Sequence, residues 1–264
     1  LTTKEKQKTM FYFYTIKSGS KDKKILKSTV MDEFQADFKH LFTTKESFIK
    51  TGDEYLKNLA DSNRKLVLDY LKINDENLIE IKQTHTSNIS IASKTPDFID
   101  NTDGVILYKP GSATILNFAD CTPVILYEPK NKVAAGLHAG WRGTADSICK
   151  KGVKLMVENF NSKPSDIIAA IAPCIGQEAF VTGIEVYEKL KGTIQNPNTT
   201  EFFRFKNDKV YPDLAKINAA QLMEAGLKTI DISHFKTCKD NEFFFSYRHE
   251  NKTTNRISMV IKIV

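Results

Sequence analysis

The apolar positions of this chain change their spacing several times, and each change marks an element. "MFYFYTIK" and "KHLFTT" are short aromatic and β-branched runs that predict two early strands. "DEYLKNLADSNRKLVLDYLKI" shifts to a spacing of three and four, placing Leu56, Leu59, Ala60, Leu66, Val67 and Tyr70 on one face of a predicted helix. "NLIEIKQTH" and "NISIAS" are predicted strands on either side of a short turn. "TDGVILY", "ATILNFADC" and "TPVILYEP" continue the β-rich stretch, broken by Gly, Pro and Asp. "PKNK" reads as a turn, and "VAAGLH" as a buried strand.

From Thr144 the period becomes helical, with Ile148, Gly152, Leu155, Met156 and Phe160 on one face. "DIIAAIAPCIG" is a predicted buried strand ending at a Pro-Cys turn. "GIEVYEKLKG" and "YPDLAKINAAQLMEAGL" are predicted helices, the second closed by Gly226 just past its last turn. "TIDIS", "EFFFSYR" and "RISMVIKIV" complete the set as strands. Strands and helices mix without strict alternation. The expected architecture is α+β: one domain over residues 1–264, with mixed β-sheets layered between helices.

Composition narrows the function classes. The chain has 264 residues, 41% of them hydrophobic, enough for a sizeable core. No apolar run approaches the roughly 20 residues that span a bilayer, so no membrane partner is expected. The start, "LTTKEKQKTMFYFYTIK", has neither a long apolar stretch nor a small-residue cleavage site and is not read as a signal peptide. Cys121, Cys149, Cys174 and Cys238 contain no C-x-x-C pair, which argues against a zinc ribbon or a disulfide scaffold. Free thiols in a reducing cytoplasm are the expectation. The net charge of +6 comes from lysines spread along the chain, with no basic block carrying interleaved aromatics. That pattern predicts no nucleic-acid partner, while the positive field favours a small anionic substrate. Only five of the 38 basic residues are arginines, which marks each as a place where a planar donor fork is wanted.

Three predicted strands end in good metal ligands: His85 in "KQTH", Cys121 in "FADC" and His138 in "GLHAGW". Two imidazoles and a thiolate suit Zn²⁺ in a three-ligand site with an open position. The same residues also read as ordinary polar groups at strand ends with a buried thiol, and spacing alone leaves both readings open. Asp103 and Asp120 are each placed to orient a ligand imidazole through its second nitrogen, or to cap a turn. Gly136, Gly140 and Gly143 fit no phosphate-loop pattern and read as backbone devices around Trp141 and Arg142.

"QTH", "TDGVIL", "ADCTPVILYEP", "AAGLHAGWRGTA", "APCIGQEAFVTG", "YPDLAKINAAQL" and "FFSYR" occur in the order of the YfiH-like family, which the chain resembles from about residue 40 to its end. That family comprises purine nucleoside phosphorylases long described as laccase-domain or multicopper polyphenol oxidases. The resemblance implies a zinc site of His85, Cys121 and His138; Cys121 and His138 are then expected to carry the chemistry, with Asp120 the candidate for proton transfer. It also implies that phosphate is held by basic residues: Arg64 in the "NR" pair, Lys45 where "TTR" is usual, and Arg248 in "FSYR". The chain departs from the family in lacking the "GGVS" and "SLNL" stretches and in having His249 where a second basic residue is usual. The implied reaction is phosphorolysis of adenosine, inosine, guanosine or methylthioadenosine, with adenosine deamination as a second activity. The expected protein is a cytoplasmic monomer or homodimer.

The competing expectation is a copper-dependent polyphenol oxidase, since a His₂Cys set also suits copper. A multicopper cluster needs many imidazoles, and the chain has five histidines and no H-x-H pair. A third reading is a structural zinc closed by a fourth ligand, for which Cys174 is the candidate.

Overall fold

A computed structural model describes residues 11–17, 22–93, 95–197 and 200–264. Residues 1–10, which hold most of the lysine-rich start, lie outside the described residues.

Two mixed sheets pack face to face. The first is built from β1 (Phe11–Ile16), β2 (Lys23–Ser28), β3 (Phe38–Thr43), β4 (Leu78–Ile81), β6 (Asp97–Ile99), β8 (Ala113–Phe118) and β15 (Ile257–Ile263), in the order β1-β2-β3-β15-β8-β4-β6. The second holds β5 (Ile89–Ile91), β7 (Gly104–Leu107), β9 (Thr122–Glu128), β10 (Val133–Ala139), β11 (Ile168–Ile171) and β14 (Thr229–Ile232), in the order β14-β11-β9-β10-β7-β5. A separate hairpin joins β12 (Phe203–Lys206) to β13 (Lys209–Pro212). Each large sheet has an antiparallel centre and parallel pairs at one or both edges, so both are mixed.

Leu116, Met259 and Ile261 of the first sheet meet Ile125, Tyr127 and Ala134 of the second in one core cluster. Helices cover both outer faces. α2 (Lys57–Leu71) lies on the first sheet through Val67, Leu68 and Leu71. α4 (Ile148–Phe160) and α6 (Leu214–Glu224) cover the second through Val153, Met156, Ala219 and Leu222. The shorter helices are α1 (Thr29–Asp32), α3 (Trp141–Ala145) and α5 (Ile184–Lys191). β9 and β10, buried at every position, are covered on both faces, which explains their unbroken apolar runs.

Helix α6 starts where Asp213 accepts a hydrogen bond from the Lys216 amide at 3.1 Å and ends at Gly226, whose φ of +101° closes it as expected. Helix α2 begins later than its apolar spacing predicts, after a tight turn over Glu54–Leu56. Its inward face is Ala60, Asn63, Val67, Leu68 and Leu71, and Leu59 is exposed. Asn63 is accommodated inside because its amide donates to the Phe48 carbonyl at 2.9 Å.

"EFFFSYR" is a succession of turns rather than a strand. Its phenylalanines are apolar because Phe243 and Phe244 pack against Phe13 and Phe245 against Phe48. The lysine-rich β2, the short β6 and the β12–β13 hairpin are strands that the apolar spacing does not announce.

Candidate metal centre

The β9–β10 hairpin is closed at one end by residues 129–132 and open at the other. Its register pairs His138 with Pro123 and Ala139 with Thr122. Cys121, immediately before β9, therefore meets the end of β10. On the far side of β10, Leu137 pairs with Gly104 of β7, and the His138 amide donates to the Asp103 carbonyl at 2.7 Å. The third ligand candidate arrives by another route. His85 does not end a strand; it lies four residues beyond β4, in the loop that crosses from the first sheet to the second, with φ +63°.

Asp103 holds this loop. Its buried carboxylate accepts the backbone amides of Thr84 (3.2 Å), His85 (3.0 Å) and Thr86 (2.6 Å), and the Thr86 hydroxyl (2.7 Å). Three consecutive amides wrapped around one carboxylate form an anion nest, and the left-handed turn at His85 makes it possible. The same carboxylate meets His138 Nδ1 at 2.7 Å. That bond fixes the imidazole and leaves Nε2 as the atom that could bind a metal. Between the two candidates the sequence offered, Asp103 is the orienter. Asp120 does different work, accepting the Thr237 hydroxyl at 2.6 Å and the Arg248 amide at 2.7 Å from its own left-handed position, φ +85°.

The donor atoms of His85, Cys121 and His138 all lie within 4.8 Å of one another. The two imidazole centroids are 4.9 Å apart, with planes nearly perpendicular at 77°. Burial alone would push the Cys121 thiol up, but the adjacent imidazoles of His138 and His85 outweigh it and bring it down to about 6. Burial opposes charge on His138, yet the Cys121 thiolate and the Asp103 carboxylate raise it to about 9. Burial also works against ionised Asp103, and hydrogen bonds from His138 and Thr86 overcome it, holding the carboxyl below its ordinary range. The thiol is thus poised as a thiolate, the form that binds metal.

The glycines make room for this. A Cβ on Gly140 would stand 3.1 Å from Cys121 Sγ and 3.4 Å from His85 Cδ2. One on Gly143 would stand 2.8 Å from the Thr86 carbonyl, so the His85 loop can cross α3 only over a glycine. Trp141 turns away from the ligands into a cluster with Ile175, Phe180 and Leu190. Cys174 is buried in the apolar layer under α4 and α6, outside the ligand group, and burial pushes its thiol up to about 11.

The three donors open onto a cleft of about 780 Å³. Lys50, Lys82, Arg248 and Arg256 bring positive charge to its walls, and Phe180 and Tyr247 bring aromatic surface. Of the three basic residues named from the sequence, Arg248 lines the cleft, its guanidinium 3.4 Å from the Ala179 and Val181 carbonyls. Arg64 pairs with Glu80 at 2.9 Å in an adjoining groove that shares Lys50 and Lys82 with the cleft. Lys45 pairs with Glu250 at 2.7 Å and is not among the cleft-lining residues. Lys50 and Arg256 escaped the sequence reading because they are some two hundred positions apart and carry no local motif.

Residues 39–264 match the model of the family described as multi-copper polyphenol oxidoreductase laccase. The chain belongs to that family. Its relatives within the family include a protein named purine nucleoside phosphorylase from Bacteroides thetaiotaomicron, 25% identical over 93% of this chain and 98% of that protein. Another of the same name, from Haemophilus influenzae, is 29% identical over 84% of this chain and 93% of that one. The crystal structure of YlmD from Geobacillus stearothermophilus superposes with a TM-score of 0.83 at 25% identity, covering 95% of this chain and 99% of YlmD. The Bacillus licheniformis protein YfiH gives 0.82 at 26% identity, covering 91% and 96%. The fold is therefore that of the YfiH and YlmD proteins, with the His-Cys-His group at the end of the central hairpin.

Proposed function

We propose that the chain is a zinc-dependent purine nucleoside phosphorylase, one catalytic domain over residues 1–264 working in the cytoplasm. It would convert adenosine, inosine, guanosine or methylthioadenosine and phosphate into the free base and a sugar 1-phosphate. The observation that carries this reading is an open three-donor site at a cleft with both cationic and aromatic walls. The phosphorylase names of its relatives support the same substrate class.

The residues fit zinc. His138 presents Nε2 because Asp103 occupies Nδ1, Cys121 is held near its thiolate form, and Gly140 clears the space beside both. Zinc, when bound, supplies Lewis acidity toward an oxygen or nitrogen of the substrate. The chain's own groups do the rest. Tyr247, exposed at the cleft, offers a face on which a purine stacks, and the buried Phe180 backs the Arg248 guanidinium, 5.8 Å from its ring centre. Arg248 supplies a planar donor fork for phosphate, and Arg64 stands in the adjoining groove with its charge balanced by Glu80. Lys45 supports the site indirectly: its partner Glu250 also accepts the Ser246 amide at 2.8 Å, which fastens the turn carrying Tyr247 and Arg248. Asp120 holds the Arg248 backbone and, as the one carboxylate among the cleft-lining residues, is the group proposed to exchange a proton with bound substrate. Deamination of adenosine is the second activity proposed: water adds at C6 of a purine held beside the three donors, and the amino group takes up a proton and leaves as ammonia.

Copper oxidation is the competing reading, favoured by the family's description and by the donor set itself. Among the described residues, His85, Cys121 and His138 are the one group of three such donors close enough to share a metal ion. His40 is buried against Ser28 in the first sheet, and His234 and His249 join no such group. Elemental analysis of protein purified without added metal tests the assignment. About one zinc per chain is expected, lost in Cys121→Ala and His138→Ala. Zinc retained in full by either variant, or copper held in its place with turnover of phenols, would overturn the reading.

A further inference from the structure

We infer that the cleft holds a tetrahedral oxyanion between Lys50 and Arg256, and that its occupant is the inorganic phosphate consumed in the reaction. This deepens the phosphorylase reading and rests on it. Two distant segments, residues 50–52 and 254–256, are fastened together at the cleft wall. The Arg256 amide donates to the Lys50 carbonyl at 3.0 Å, and the two residues form an isolated antiparallel bridge. The Thr51 hydroxyl donates to Asn255 Oδ1 at 2.6 Å. A Cβ on Gly52 would come within 2.9 Å of the Thr254 Cβ, so the two backbones approach this closely only over a glycine. Lys50, Thr51, Gly52, Thr254 and Arg256 all line the cleft that holds the three metal donors.

The charges there are uncompensated. Lys45 is neutralised by Glu250, Arg64 by Glu80 and, more loosely at 3.4 Å, Lys82 by Asp100. Among the described residues no ion pair engages Lys50 or Arg256. The one acid lining the cleft, Asp120, is bonded to Thr237 and the Arg248 amide. Arg256 is also pre-set: its Nη1 donates to the Thr253 carbonyl at 2.6 Å and the Asn255 carbonyl at 2.8 Å. A guanidinium anchored through one nitrogen keeps Nη2 and Nε for a planar, bidentate grip on an oxyanion. Lys50 adds a mobile point charge and Thr254 a hydroxyl. Two cations without an ion-pair partner, carried on bridged backbones at one cleft wall, repel each other, and a dianion between them relieves that repulsion.

Isothermal titration of the zinc-loaded protein with inorganic phosphate, and separately with adenosine 5′-monophosphate, tests this. In Lys50→Gln and in Arg256→Gln the affinity for phosphate should fall by about tenfold or more, the effect of losing one charge-assisted contact. Zinc content should stay at the wild-type level. Lys50→Gln alters an exposed side chain outside the ion-pair network, so it keeps the test decisive if Arg256→Gln folds poorly. Unchanged phosphate affinity in Lys50→Gln overturns the inference. So does a loss confined to the monophosphate, which would make the site a reader of nucleotides. Because binding is read without turnover, an enzyme that binds phosphate here but performs no phosphorolysis sinks the activity and leaves the oxyanion site standing.

Discussion

Gly140→Ala isolates the role of empty space at the metal centre. Gly140 has φ −65° and ψ 167°, extended backbone that alanine adopts freely, so the substitution introduces no backbone strain. What it introduces is a methyl group 3.1 Å from Cys121 Sγ and 3.4 Å from His85 Cδ2. The 3.4 Å approach is ordinary contact, but at 3.1 Å Cys121 Sγ must retreat by a few tenths of an ångström. Metal sites tolerate displacements of only about 0.2 Å in ligand distance. A fall in zinc affinity of about 10- to 100-fold is expected, comparable to losing a group that orients a ligand. Gly140 also caps α3, where alanine is poorer by up to about 1 kcal/mol. Gly140→Ser separates the two effects: serine restores the cap but brings the same Cβ. Zinc affinity, measured by competition with a chromophoric chelator, should fall equally in both variants, while metal-free stability falls only in the alanine protein. Wild-type zinc affinity in Gly140→Ala would refute the argument.

Asp103→Asn removes the charge that gathers three loop amides and His138 Nδ1. Zinc affinity should drop about 10- to 100-fold and metal-free stability by about 2 kcal/mol, read by chelator competition and urea unfolding. His40 provides a pH signature far from the metal. Burial holds it down to about 3 from 6.5, against the pull of Asp32 and with the help of Lys27, and its Nε2 accepts the Ser28 amide at 2.9 Å. Its folded pKa is depressed, so its contribution is full above pH 6.5 and is lost as pH falls toward 3, where the unfolded chain takes up the proton first. His40→Gln, which can still accept from Ser28, should lose less stability between pH 7 and pH 5 than the parent; equal losses in urea midpoints would contradict this.

The meeting of His85, Cys121 and His138 was legible because each sits in a distinct local pattern, "QTH", "ADC" and "HAGW". The architecture followed from the apolar runs of β9, β10 and β15, continuous but bounded by turn residues at strand length. The position of His85 was not legible. Its segment reads as a continued strand, and only the buried Asp103, eighteen residues on, pulls the backbone into a left-handed loop. The choice between Asp103 and Asp120 is likewise made by register, since β7 puts Asp103 beside His138 while Asp120 faces Thr237. "EFFFSYR" misleads because burial against Phe13 and Phe48 imitates strand composition without strand pairing. The basic wall of the cleft depends on residues 50 and 256 meeting across β3 and β15, a contact that no local spacing records.

The central claim is phosphorolysis, and its most direct test is the fate of adenosine in the presence of zinc-loaded protein. Chromatography of the bases combined with phosphorus-31 NMR of the sugar product reads both halves of the reaction. Free base (adenine, with hypoxanthine where inosine has formed) and ribose 1-phosphate should appear together, in equal amounts and only when phosphate is present. Adenine released with free ribose in phosphate-free buffer, or no base at all alongside copper-dependent oxidation of phenols, would contradict the account.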